Sequence, residues 1–315
     1  MAEKNRVAAE ECSALGASGQ TIESFPNSEV QLGDLTVSRA LPVRSRRLVG
    51  PWCFLDRFGP LTFAAGKPMD VAPHPHIGLQ TVTWLLDGEI LHDDSLGCEA
   101  VARPGAVNVM TAGRGVAHTE QTPPDNSGRL SGVQLWAALP ALHRDIEPFF
   151  ASHTDVPVAE ERGGLVRVFA GSLAGVTSPA RHFSEIVGGD VEIRAGESVE
   201  LKLNPAYEHA VLVLSGDCSV ENQPLSEGLL HYLGARRAGI CFRSQRSARI
   251  LLIGGPPFAE KILMWWNFVA RTPQEIAQAR ADWEDHLRFG EVKAYRGPRL
   301  AAPNLIRFAR PDPMS

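Results

Sequence analysis

The sequence predicts an all-β fold of two sandwich- or barrel-like domains in tandem, followed by one short C-terminal helix. Three observations predict it. Short strand-like runs, separated by Gly, Pro and Asp-Gly signals, recur from about Val30 to Leu139 and again from Val166 to Gly255. Between them, from His143 to Gly164, the chain turns polar and acidic, with Pro148, Pro157 and Glu160-Glu161-Arg162-Gly163-Gly164, as a linker would. After Gly255 the pattern changes, and Thr272-Pro273-Gln274-Glu275 reads as an N-cap, a proline at the first helical position and a glutamate at the third.

In the first domain, Leu79-Gln80-Thr81-Val82-Thr83-Trp84-Leu85-Leu86 is rich in β-branched and aromatic residues and ends in Asp87-Gly88, a strand closed by a hairpin turn. Ala106-Val107-Asn108-Val109-Met110 is a similar strand, followed by the bend Ala112-Gly113-Arg114-Gly115. The second domain contains Val191-Glu192-Ile193, Val199–Leu203, Ala210–Leu214 and Arg249–Ile253. The helix runs through Ile276, Ala279, Ala281, Trp283 and His286 to end near Gly290. Trp265, Trp266 and Phe268 read as packing residues, because no basic residues interleave with them as in a base-stacking platform.

Four residues carry the chemical signal. His74 and His76 lie in Pro-His-Pro-His-Ile-Gly, and His118 and Glu120 in Val-Ala-His-Thr-Glu. In an extended chain, residues i and i+2 share a face, so each pair projects together and two strands could enclose one cation. Pro73 and Pro75 hold the first pair in extended backbone. Three imidazoles and one carboxylate suit Fe(II), and accept Mn, Co, Ni, Cu or Zn; an octahedral ion keeps two open positions, which implies chemistry. Seen alone, either pair reads more readily as surface decoration.

Length and composition bound the rest. A chain of 315 residues and 34.1 kDa can bury two cores. A net charge of -5 gives no general attraction to nucleic acid. No stretch reads as a signal peptide or a membrane span. Cys12, Cys53, Cys98, Cys218 and Cys241 are scattered with no Cys-x-x-Cys spacing, which fits reduced thiols and a cytoplasmic location.

The stretch from Phe54-Leu55-Asp56-Arg57-Phe58-Gly59-Pro60 through HPHIGLQTVTWLLDGEILHDDSLG to RPGAVNVMTAGRGVAHTEQTP resembles the signature of the pirin family, within the cupin superfamily. Ile253-Gly254-Gly255-Pro256-Pro257 and the tail after Thr272 resemble its C-terminal half. The resemblance implies a bicupin: an N-terminal metal-binding cupin at 30–145, a linker at 146–164, a metal-free cupin at 165–255, and a helix and tail at 256–315 that pack back on the first domain. Residues 1–29 fall outside it, and unanchored ends are mobile. It also implies one metal per chain, commonly Fe(II), on His74, His76, His118 and Glu120. Where the family often has Arg after the HPH run and Glu three residues later, this chain has Ile77 and Gln80, which implies an altered environment around the ligands.

Other residues complete the expectation. Phe54, Phe58, Trp84 and Met110 are expected to line an apolar pocket that excludes water. His92, in His-Asp-Asp-Ser, is either a pocket-mouth or ligand-supporting group or a solvated loop histidine. Arg114 is read as fixing its loop by hydrogen bonds, with substrate contact as the alternative, and Gly113 and Gly115 serve backbone conformation. In the second domain, Tyr207-Glu208-His209 stands where the first has its His pair, no His-x-Glu follows, and His209 with His231 is too small a set for a stable site.

Three functions fit. The resemblance implies a dioxygenase of the quercetinase kind, opening the heterocycle of a flavonol or related aromatic enol with O2 and releasing carbon monoxide, with Glu120 as base. The alternative is an iron-dependent redox-sensing regulator that partners a transcription factor or metabolic enzyme. The third, a metal-free structural bicupin, would crowd four polar groups together for no gain.

Overall fold

The computed structural model describes residues 10–12, 22–32, 35–63 and 69–305. The two β series form two sandwiches, each a large sheet over a small one, and the bicupin expected from the sequence is the observed architecture. Among the described residues, the regular structure is strand apart from one helix. Among the described residues, no helix is long and apolar enough to cross a membrane.

The first sandwich has a seven-stranded sheet in the order Phe149–His153, Val107–Thr111, Leu79–Gly88, Arg129–Ala138, Trp52–Thr62, Leu35–Leu41, Ser28–Leu32. Its smaller sheet runs Asp70–His76, Val116–Gln121, Ile90–Asp94, Glu99–Ala102. Val37, Phe58, Leu85 and Leu130 of the large sheet meet Ile90 and Ala102 of the small one in a shared apolar cluster. The second sandwich repeats the plan: a large sheet centred on Val187–Ile193, Ala248–Gly255 and Glu208–Ser215 covers Ser198–Lys202, Gly239–Arg243, Cys218–Val220 and Gln223–Leu225.

The two large sheets also pack against each other. This explains why Ala210–Leu214 and Arg249–Ile253 read as nearly unbroken apolar runs, since a strand buried on both faces has no polar alternation to show. Val211, Val213, Ile250 and Leu252 fill their own sandwich, while Ala210, Leu212, Leu251 and Ile253 meet Val82, Trp84, Val133 and Leu135 of the first. Two indoles peg the seam: Trp52 Nε1 donates to the Val187 carbonyl at 3.0 Å, and Trp84 Nε1 to Asp190 Oδ2 at 2.9 Å. Asp190 is also bonded by Arg249, so its buried charge is paired.

Three segments differ from the sequence expectation. The N-terminal extension is not loose where described: Glu23–Pro26 completes the large sheet of the second sandwich against Leu229–Ala235, and Glu10–Cys12 pairs with Ile262–Trp265. Residues 1–9 and 13–21, like 306–315 of the tail, lie outside the described residues. The expected linker contains strand Phe149–His153, which pairs with Val107–Thr111, and strand Val158–Glu161, which forms a hairpin with Gly164–Leu173. Its polar alternation is that of sheet-edge strands with one wet face. The helix spans Pro273–Glu284, with Thr272 as N-cap accepting from the Glu275 amide, and stops six residues short of Gly290.

The tail packs on the first domain. Ile262–Trp265 and Phe268–Ala270 form a hairpin, and Trp265, Phe268, Ile276, Trp283 and Phe289 bury themselves against Ile77 and Ala117. Cys53, Cys98, Cys218 and Cys241 are free thiols.

Candidate metal centre

His74, His76 and His118 converge because strands Asp70–His76 and Val116–Gln121 are antiparallel neighbours, with His118 opposite His74 and Val116 opposite His76. A β-bulge follows between His118 and Glu120. Asp70–His76 is the edge strand of its sheet, which is why it tolerates Pro73 and Pro75. The bend before His118 requires glycine: Gly113 has φ +48°, and a Cβ there would meet the Ile146 carbonyl oxygen at 2.0 Å.

One ligand-type atom from each histidine lies within 4.8 Å of the others, and all three side chains are buried. His74 Nδ1 donates to the Ala72 carbonyl at 2.9 Å, and His76 Nδ1 to the Asn267 carbonyl at 3.1 Å. A carbonyl only accepts, so each Nδ1 carries the proton and each Nε2 a lone pair. Burial, ahead of repulsion from neighbouring histidines, holds all three imidazoles neutral, with His74 lowered to about 4 and the other two well below their usual value. Neutral imidazole is the ligating form.

His118 is set by a second histidine. His118 Nδ1 lies 3.3 Å from His92 Nδ1, and His92 Nε2 lies 3.4 Å from Asp94 Oδ2. The Asp94 carboxylate accepts a hydrogen bond from His92 Nε2–H, so His92 Nδ1 accepts from His118 Nδ1–H and His118 Nε2 is left bare. That nitrogen faces His76 Nε2 at 3.1 Å. Two lone pairs at this distance repel unless a cation joins them. Two nitrogens bound at about 2.1 Å and at right angles sit about 3.0 Å apart, so the donor set fits a metal ion.

Glu120 stands outside this cluster, half-buried on the wall of the cavity that the triad faces, and burial raises its pKa. The cavity, about 530 Å³, lies between the two sheets of the first sandwich. Phe54 and Phe58 line it as expected; Trp84 and Met110 do not. Trp84 sits on the opposite face of its strand, in the seam between sandwiches, stacked 5.4 Å from Phe169. Met110 faces inward but is sealed among Phe54, Leu79, Val116 and Trp136.

The remaining candidates resolve individually. Ile77 packs into the tail cluster, while Gln80 bonds Thr111, the Arg181 carbonyl and His182; neither lines the cavity. Arg114 is exposed and pairs with Glu147 at 2.6 Å. His92 is buried, not a solvated loop residue. In the second sandwich, Glu208 takes the Tyr232 hydroxyl and the Gly50 amide, and His231 bonds Ser24 and Ser226. Among the described residues, the triad is the one such metal-type cluster.

Sequence reasoning missed Arg39, Asp56, Gln134, Trp136, Trp266 and Asn267, all of which line the cavity. For Asp56 a signal existed: it lies between Phe54 and Phe58 at strand spacing, so it shares their face.

A family model described as Pirin matches residues 34–137, and one described as Pirin C-terminal cupin domain matches residues 189–290. The chain belongs to the pirin family. A Pseudomonas aeruginosa protein named "Putative quercetin 2,3-dioxygenase" is 47% identical to this pirin over 272 residues, 86% of either chain. A pirin-like protein of Caulobacter vibrioides is 36% identical over 269 residues, 82% of this chain and 92% of that one. The crystal structure of quercetin 2,3-dioxygenase from Acinetobacter baumannii superposes with a TM-score of 0.89 at 41% identity, covering 92% of this pirin and 98% of that chain.

Proposed function

We propose that this pirin is a metal-dependent dioxygenase, with Fe(II) as its ion, that opens flavonols or related aromatic enols as quercetin 2,3-dioxygenases do. The observation that carries this reading is a buried, neutral histidine triad facing an aromatic-walled cavity large enough for a small planar molecule. His74, His76 and His118 would hold the ion, with Glu120 on the adjoining cavity wall as the carboxylate available to it. A bound divalent ion would supply Lewis acidity toward a substrate oxygen.

The chain supplies the rest. Phe54 and Trp136, stacked at 4.0 Å, give a flat surface that orients a planar ligand. Apolar walls exclude water. Glu120, on the cavity wall beside the triad, would accept the enol proton at a carboxylate oxygen that is not bound to the ion.

The test is anaerobic reconstitution with Fe(II), metal quantified per chain, and quercetin absorbance followed after O2 is admitted. Bleaching that depends on the metal and fails in Glu120→Ala supports the dioxygenase. One bound iron without turnover refutes it for flavonols and favours a redox-sensing role with a protein partner.

A further inference from the structure

Opposite the triad, the floor of the cavity carries a polar row. Arg39 stands across from Asp56, and Asp56 across from Gln134, on three adjacent strands of the large sheet. All three residues line the cavity, whose surroundings here are otherwise apolar: Val37 and Phe58 lie on one side of the row, Phe54 and Trp136 on the other. Placing a charged pair in such a wall has a desolvation cost that a well-packed apolar pair would avoid.

The row is tied together and to the triad. Arg39 Nε and Nη2 donate to the two Asp56 carboxylate oxygens, each at 2.8 Å. The Thr83 hydroxyl donates to Gln134 Oε1 at 2.8 Å, which turns the Gln134 amide nitrogen into the free donor. The Arg39 guanidinium lies 4.6 Å from the centre of the Phe54 ring, Phe54 stacks on Trp136, and Trp136 meets His76 edge-on at 5.1 Å. One aromatic surface therefore runs from the triad to the polar row.

We infer that Arg39, Asp56 and Gln134 form a second binding subsite, which holds oxygen substituents on the far ring of a planar aromatic ligand whose near end meets the metal. The guanidinium and the Gln134 amide nitrogen donate to a phenolic oxygen, and the Asp56 carboxylate accepts a phenol proton. The inference rests on the dioxygenase reading for the orientation of the ligand, and it assigns the substrate class as aromatic enols hydroxylated on the ring remote from the enol.

The experiment compares quercetin, which carries two hydroxyls on that ring, with 3-hydroxyflavone, which carries none. Affinities for the anaerobic metal-loaded protein are read by tryptophan fluorescence. The wild type is expected to prefer quercetin by roughly tenfold or more, equivalent to one good hydrogen bond. Gln134→Leu should reduce the preference to about a third or less without changing 3-hydroxyflavone affinity. Arg39→Met with Asp56→Leu removes the pair together, so neither charge is stranded, and should do the same. Equal affinities in the wild type, or a preference unchanged in both variants with metal content intact, overturn the subsite while leaving the dioxygenase standing. Failure of both flavonols to bind the wild type overturns both readings.

Discussion

His118 and His92 meet through their Nδ1 atoms at 3.3 Å, and Asp94 holds the far nitrogen of His92 at 3.4 Å. The contact fixes both the ring orientation and the tautomer of His118, leaving Nε2 free to bind. Partners of this kind are generally worth ten- to a hundredfold in metal affinity. His92→Phe, which keeps a flat ring beside Phe150, should weaken Fe(II) or Zn(II) binding by about that factor in a chelator competition, with the fold intact by circular dichroism. Unchanged affinity would show that His92 plays no part in presenting the ligand.

Replacing His76 with alanine removes one of the two nitrogens that face each other at 3.1 Å, and Glu120→Ala removes the nearby carboxylate. Metal content after reconstitution should fall to trace levels in His76→Ala and drop markedly in Glu120→Ala. Full content in both variants would refute the site. His209→Ala, in the second sandwich, should bind as much metal as the wild type, and a halved content would place an ion there.

His182 and His209 are both lowered to about 4, by burial first in each case. An unfolded chain protonates them below about pH 6.5, whereas the folded chain resists until about pH 4. The stability they contribute is therefore complete above pH 6.5 and is lost progressively as pH falls toward 4. Denaturant titrations at pH 7, 5.5 and 4.5 should show a His182→Gln, His209→Gln double variant losing less stability on acidification than the wild type. Parallel losses would mean that other groups control acid sensitivity.

Trp84 joins the sandwiches rather than lining the cavity. Trp84→Ala should cost about 3–5 kcal/mol of stability through the cavity left against Phe169 and the lost bond to Asp190. Metal and flavonol affinities of the folded fraction should stay within about twofold of wild type. Trp136→Ala, at the ligand surface, should do the reverse and weaken flavonol binding first. Thermal denaturation and ligand titration on both variants separate the two roles.

The local part of this protein was legible in its sequence. Strand spacing and flanking prolines put His74 beside His76, the Gly-rich bend set up His118, and Thr272-Pro273 opened the helix, because each depends on a few neighbouring residues and on backbone geometry alone. Family resemblance supplied the order of the two cupins. The face that each strand turns to its partners was not legible where both faces are buried: Trp84 and Met110 sit in runs with little polar alternation, so period two gives no direction. Asp56 betrayed its direction only through Phe54 and Phe58. The Asn267 carbonyl behind His76, the Trp266 wall and the Arg39-Asp56-Gln134 row come from segments far apart in the chain, brought together by packing that no local pattern encodes. Sequence determined the residue types of the candidate metal centre and their strands; only the tertiary structure decided which surfaces face the cavity, because burial on two sides is a property of neighbours rather than of the strand itself.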